Sequence, residues 1–514
     1  MTEDLKGLAL DAIATSAAAD DPDYPRFHVV PPLGRLNDPN GLLVDRGTYH
    51  AFYQFSPFHP HRKLVYWGHS SSTDLLHWHH HEPAIIPDSF YDRSGAYSGN
   101  AIVLEGHEVD AAPARVPFQL FYTGNLKDPA TDERTASQCL VTSSDLSVFT
   151  KWPGNPLIPT NAEGYTAHYR DPQVFRDPDR PGEYRMLIGV QRTNETGAAV
   201  LYRSRDLISW EIEGELSFPG ADGAFDSFGY MWECPGLVRV KDEVTGEDWD
   251  VLIWCPQGIT PQREGFENIF PCVYTVGHLV GTELRDTAGA FYEVDRGFEF
   301  YAPQVFARRP SEPGPVLLTA WAGNASEDDQ PSIETGRWVH ALSLPRALSV
   351  RNGRLVQRPV TDLPYDGGQP ALVGTVLKPG LHQVTELEGH RSWQLRVDVD
   401  EARSSGTWGL RIGTNESHVD IVLGGGALRV DRSTSRYTQH GETRTVTLPE
   451  GCTSSLEVIH DRSLTEILVG GGALTFTLRS FVDPASSGAG LLVEDVLTLS
   501  AGSIRTFVQA PQAC

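Results

Sequence analysis

Three carboxylates stand in short signatures along the first half of the chain: Asp38 in Leu36-Asn37-Asp38-Pro39-Asn40-Gly41, Asp171 in His168-Tyr169-Arg170-Asp171-Pro172, and Glu233 in Met231-Trp232-Glu233-Cys234-Pro235. Two carboxyl groups converging on one pocket are the minimum equipment for cleaving a glycosidic bond, and a third can grip sugar hydroxyls. Taken singly, each signature is bland. Asn-Asp-Pro-Asn-Gly is rich in turn formers, and Arg-Asp-Pro recurs at Arg176-Asp177-Pro178, where it reads as a solvated hairpin loop. Their meaning depends on elements that could bring them together.

Such elements are written as a repeat. A short aromatic and β-branched run begins at residues 49, 118, 184, 250 and 315, at intervals of 69, 66, 66 and 65. A second element keeps step with it: Ser72-Thr73-Asp74-Leu75 with Trp78, Ser144-Asp145-Leu146 with Trp152, and Ser204-Arg205-Asp206-Leu207 with Trp210. Short strands, Gly and Pro turns and little helical periodicity predict an all-β chain whose residues 26–350 form a five-bladed β-propeller. The first strand of each blade lies nearest the axis, so comparable positions in different blades point into one mouth. Asp38, Asp171 and Glu233 precede their aromatic runs by 11, 13 and 17 residues. Distant carboxylates thereby become neighbours.

The rest of the chain carries no such chemistry. Residues 1–25 read as an N-terminal extension, and 351–374 as a linker marked by Pro359, Pro364, Gly367, Gly368 and Pro370. Residues 375–514 alternate apolar with polar side chains, with Gly424-Gly425-Gly426 and Gly470-Gly471-Gly472 at hairpin positions, which predicts a C-terminal β-sandwich.

Composition narrows the partners. With 42 Lys+Arg against 67 Asp+Glu, the formal charge is -25, which repels nucleic acid and anionic membrane surfaces and suits a neutral small substrate. The six cysteines are scattered with no Cys-x-x-Cys pair, so they read as reduced thiols and not as a metal site. In His77-Trp78-His79-His80-His81, adjacent imidazoles point to opposite faces of an extended segment and do not converge on an ion. Neither a cofactor nor a metal is expected. No basic, apolar leader opens the sequence and no run approaches a membrane span, so a cytoplasmic protein is expected. Sandwich edges offer contacts for a homodimer.

Taken together, these blocks resemble glycoside hydrolase family 32, the invertase, sucrose-6-phosphate hydrolase, levanase and inulinase family. Beyond the three signatures, Gln54-Phe55, Trp67-Gly68-His69, Tyr97-Ser98-Gly99, Tyr122-Thr123-Gly124, Tyr301-Ala302-Pro303-Gln304, Leu344-Pro345-Arg346 and Ile459-His460-Asp461-Arg462-Ser463 with Glu466 are similar to family blocks, in family order. The resemblance implies a retaining β-fructofuranosidase acting on terminal β-D-fructofuranosides. Asp38 resembles the nucleophile, Glu233 the general acid/base, and Asp171 the residue that holds fructose hydroxyls. Asn37, Gln54, Trp67, Ser98 and Arg170 match pocket-lining positions, and Tyr301 and Trp321 match aromatic walls. Arg35 departs from the pattern, standing where many relatives carry Trp, and a cation there could suit a sugar phosphate.

The assignment implies a carboxyl separation of about 5 to 5.5 Å between Asp38 and Glu233. It also implies a raised Glu233 pKa through repulsion by the other two carboxylates, and an Asp171 kept ionised by Arg170. Sucrose is the expected substrate, with sucrose 6-phosphate or short fructooligosaccharides as alternatives. Two other functions stay open: a fructosyltransferase that passes the fructosyl unit to a sugar hydroxyl, and a non-catalytic carbohydrate-binding propeller.

Overall fold

The computed structural model describes residues 4–507, apart from 260–265, 267, 288, 327–329, 361–373, 415 and 440. The chain is almost entirely β. Between residues 34 and 359, five sheets of four or five strands, antiparallel except for one strand pair in the first, follow one another among the described residues. Their inner strands are Gly34–Asp45, Ala101–Val103, Tyr165–Arg176, Met231–Lys241 and Tyr301–Val305. Each touches the next, and the last touches the first again. That closed ring is the propeller.

Closure is reinforced by chain from the end of this region. Trp338-Val339 pairs in parallel with Gly34-Arg35, and Ala307 exchanges backbone hydrogen bonds with Leu42 and Val44. Strands such as Thr48–Ser56 are buried along almost their whole length. That explains why they read as continuous aromatic runs and not as alternation: both faces are covered by neighbouring sheets.

The Ser/Asp-Leu element is one turn used three times. Ser72, Ser143 and Ser204 each accept the backbone N–H of the leucine three residues on. The aspartates at 74, 145 and 206 cap the next two N–H groups. Leu75, Leu146 and Leu207 are thereby held at φ of +67°, +62° and +67° and buried. Burial of the leucine side chain and capping of the turn offset the cost of a left-handed leucine.

Residues 376–506 form two six-stranded sheets, with Val376-Leu377 the edge strand of one of them. They pack face to face around Trp393, Leu395, Val397, Leu410, Ile421 and Phe476. His418–Gly424 alternates strictly between half-buried and buried residues, as a strand with one face on a core must. Gly425 and Gly426, at φ of +59° and +75°, make the two-residue turn between paired Gly424 and Ala427.

Two segment readings change in the structure. The stretch 354–359 is a strand paired with Arg346–Arg351, so the part of the expected linker before residue 360 belongs to the last propeller sheet. Pro364, Gly367, Gly368 and Pro370 lie outside the described residues. In the N-terminal extension, helix Leu5–Ala14 places Ala9 in the propeller core, and Tyr66 donates to the Leu5 carbonyl. Nor do the clustered histidines fan apart completely. His79 and His81 share a face with rings 4.8 Å apart, His81 stacks on His69, and His80 turns to Ser70. Among the described residues no group of three His, Cys, Asp or Glu could hold a metal ion, and no helix is long and apolar enough to cross a membrane.

Candidate active site

All three signatures sit at interruptions of inner-strand pairing. Register shifts fall between Leu36 and Pro39, across Asp171 and Pro172, and between Glu233 and Gly236; a fourth falls between Tyr301 and Gln304. Each contains an X-Pro step: Asp38-Pro39, Asp171-Pro172, Cys234-Pro235 and Ala302-Pro303. Proline cannot donate to the ladder, and the resulting bulge re-aims the residues beside it. At three of the four, the residue before proline is left-handed: Asp171 at +66°, Cys234 at +47° and Ala302 at +48°. Strain of this kind, held by a surrounding sheet, is a mark of functional positions.

Asp38 is gripped on both oxygens. Asn37 Nδ2 donates to Oδ1 at 3.2 Å, Gln54 Nε2 donates to Oδ2 at 3.1 Å, and Ser98 Oγ donates to the same oxygen. Asn37 in turn donates to Gln54 Oε1 at 2.7 Å. Asp171 Oδ2 accepts the Cys234 backbone N–H at 2.9 Å, while its own N–H donates to Thr123 Oγ1 at 2.9 Å. The Cys234 thiol joins the two aspartates, with Sγ 3.7 Å from Asp38 Oδ2 and 3.6 Å from Asp171 Oδ2. Glu233 accepts from Tyr301 Oη and from Gln257 Nε2, each at 2.7 Å on Oε2, and pairs through Oε1 with Arg170.

This last contact corrects an expectation. Arg170 does not serve mainly to keep its neighbour Asp171 ionised; its Nη2 is on Glu233, while Nε stays 3.9 Å from Asp171. Burial raises the Glu233 pKa, but the charge and hydrogen bond of Arg170, with the Tyr301 hydroxyl, outweigh it and hold the group below its ordinary value. Asp171 goes the other way. Burial, with repulsion from Glu233 and Asp38, exceeds the pull of Arg170 and lifts it to about 7. Burial and the Glu233 charge also raise Asp38 against its hydrogen-bond donors. Within the cluster Glu233 is the anion, and the most readily held proton belongs to the aspartate pair.

The expected lining divides into two groups. Asn37, Gln54, Ser98, Arg170 and Tyr301 all touch a carboxylate directly. Trp67 is fully buried between Phe52 and Tyr122, and its indole N–H donates to the Tyr97 carbonyl, so it supports the pocket from behind and does not line it. Trp321 packs edge-on to Tyr301, with the Arg35 guanidinium 5.3 Å from its ring. Three polar contributors escaped the sequence reading: Gln257, Thr123 and His168. Gln257 lies on the strand paired with Met231–Lys241, opposite Met231, so strand register was the signal that could have found it.

Comparisons with known proteins match both halves of the chain. The profile of the Glycosyl hydrolases family 32 N-terminal domain matches residues 28–359, and that of the Glycosyl hydrolases family 32 C terminal matches 373–505. The chain is 35% identical to a sucrose-6-phosphate hydrolase of Salmonella typhimurium, over 92% of this chain and 91% of that protein. It is 36% identical to a sucrose-6-phosphate hydrolase of Bacillus subtilis, over 67% of each. Among solved structures, the sucrose-6-phosphate hydrolase from Lactobacillus gasseri superposes with a TM-score of 0.80 at 28% identity, covering 98% of this chain and 96% of that one.

Proposed function

Since the chain belongs to glycoside hydrolase family 32, we propose that it hydrolyses the β-fructofuranoside bond of sucrose or sucrose 6-phosphate with retention of configuration, using Asp38, Glu233 and Asp171. The observation that carries this reading is the meeting of the three carboxylates, from three different inner strands, around the Cys234 thiol and the Arg170 guanidinium.

Asp38 attacks the anomeric carbon of the fructosyl unit as its bond to the glycosidic oxygen breaks, and the carbon passes through an oxocarbenium-like state. Glu233 gives its proton to the departing glucosyl oxygen. It then takes a proton from water, which attacks the fructosyl ester and restores Asp38. Asn37, Gln54 and Ser98 hold the Asp38 carboxylate in place for that attack. Asp171 holds fructose hydroxyls.

Glu233 must be protonated for the first step, yet the charge and hydrogen bond of Arg170 hold its pKa below the ordinary value. Sugar hydroxyls supply the remedy by accepting Arg170's donors, which frees Glu233 while the low-dielectric pocket raises its pKa. The proton comes from solvent or from the Asp38 and Asp171 pair. Arg170 thereby links occupancy of the fructose site to arming of the acid.

The test is Asp38→Ala assayed on sucrose and sucrose 6-phosphate, together with the anomer of fructose first released, read by NMR. The reading requires loss of turnover in the variant with its circular dichroism unchanged, and β-fructofuranose as the first product of the unaltered enzyme. Retained turnover would remove Asp38 from its role, and the α anomer would replace double displacement with inversion.

A further inference from the structure

If Glu233 protonates the departing oxygen, the leaving sugar lies beside Glu233. Arg170 pairs with Glu233 there, His168 meets Arg170, Tyr230 packs on His168, and the Arg134 charge acts on the same imidazole. Arg170 Nη1 donates to His168 Nδ1 at 3.1 Å, and an arginine can only donate, so Nδ1 is the bare nitrogen and the ring proton is on Nε2. Burial and the charges of Arg170 and Arg134 push His168 down to about 4, which keeps the imidazole neutral at pH 7. Among the described residues, Nε2 has no hydrogen-bond partner. Tyr230, 39% exposed, sets its ring edge-on against His168 at 6.1 Å.

Arg134 completes this face. It opens the strand Arg134–Ser143, is half-buried, and holds its guanidinium 5.9 Å from the ring centre of Tyr97, next to Ser98. Among the described residues it makes no ion pair, and the nearby Asp132 is taken by Lys127 at 2.5 Å. In a chain of formal charge -25, a cation that pairs with no carboxylate among the described residues, beside a neutral N–H donor and an exposed tyrosine, offers donors matched to an anion.

We propose that Arg134 and the Nε2–H of His168 bind a phosphate ester carried by the leaving glucosyl unit, so that sucrose 6-phosphate is preferred over sucrose. The inference rests on the hydrolase reading given above. Neutral sucrose leaves Arg134 with Tyr97 and water, whereas a phosphate accepts two parallel guanidinium hydrogen bonds and the imidazole N–H. Arg35, the cation that the sequence offered for this role, is engaged elsewhere: it lies over Trp321, and its charge bears on Arg479 of the sandwich.

The experiment compares kcat/KM for sucrose 6-phosphate and for sucrose in the wild type, Arg134→Ala, Arg134→Gln and Arg35→Ala. A charge-assisted contact is worth a factor of about 10 to 100. The ratio of the two constants is expected to fall by at least tenfold in both Arg134 variants, mainly through KM, and to hold in Arg35→Ala. On the unaltered enzyme, glucose 6-phosphate should inhibit sucrose cleavage at lower concentration than glucose, a direct readout that needs no variant. An unchanged ratio in the Arg134 variants, a collapse confined to Arg35→Ala, or equal inhibition by the two sugars overturns the phosphate site and leaves the hydrolase reading standing. Failure of the wild type to cleave either sugar removes both.

Discussion

The propeller and sandwich are joined through a buried ionic cluster centred on His28, and its pH response can be worked from the contacts. His28 Nδ1 is 2.8 Å from Asp461 Oδ2, and Nε2 is 3.2 Å from Glu466 Oε1, all three side chains being buried. Both ring nitrogens face carboxylate oxygens, so both carry protons and the ring is an imidazolium. Burial pushes the ring toward neutrality, but hydrogen bonds and charge from Asp461 and Glu466 lift it to about 9. Against an ordinary value of 6.5, that rise corresponds to about 3 kcal/mol. Because the folded-state pKa is the higher one, this stabilisation is complete below pH 6.5 and disappears as pH rises through 9. Arg346, at 2.6 Å from Glu466 and 2.9 Å from Asp295, keeps its charge throughout and does not mask the change. The perturbation is His28→Gln. Urea unfolding of the variant and the wild type from pH 6 to pH 10 gives a difference in which other titrating groups cancel. The variant should be less stable by about 3 kcal/mol or more at pH 6, and the gap should shrink by about 3 kcal/mol by pH 10. A gap that stays level across that range would refute the imidazolium.

Three shorter predictions concern the pocket. A β-carbon on Gly189 would stand 1.9 Å from the Trp232 carbonyl, so Gly189→Ala should push the Glu233 strand aside, cost roughly 1 to 3 kcal/mol of stability and cut kcat at least tenfold; unchanged kinetics would contradict the strand contact. Arg170→Gln removes the charge that depresses Glu233, the group of lower pKa in the cluster, so the acid limb of kcat/KM should move to higher pH while KM rises; an unmoved limb would separate Arg170 from Glu233. Burial and the neighbouring carboxylates raise the Cys234 thiol well above its ordinary value, so iodoacetamide at pH 8 should leave it unlabelled in peptide maps of the folded enzyme, and rapid labelling would argue for an open thiolate.

Much of this architecture is legible before any coordinates. The 65 to 69 residue period survives because every blade must bury an aromatic strand against both neighbours, and the sandwich strands advertise one covered face by alternation. The partnership of Arg170 was not legible, for a physical reason. Sequence adjacency places Arg170 beside Asp171, but successive strand residues point to opposite faces, and the left-handed Asp171 turns its carboxylate away at the bulge. What Arg170 meets is fixed by the next inner strand in the ring, Met231–Lys241, which brings Glu233 to its guanidinium. A signal of that geometry does exist in the sequence, in the prolines that follow Asp38, Asp171, Cys234 and Ala302. Read as turn formers, they make each motif a loop. Taken as ladder interruptions at matching places in successive sheets, they mark where the backbone must bulge toward the axis. Because Cys234, not Glu233, is the left-handed residue before proline in the fourth sheet, Glu233 sits one position earlier than Asp171 relative to its bulge. That offset of one residue lets Glu233 reach the Arg170, Gln257 and Tyr301 side of the mouth while Asp171 stays with Asp38 and the Cys234 thiol. The division between a lone glutamate and a pair of aspartates therefore follows where each proline falls.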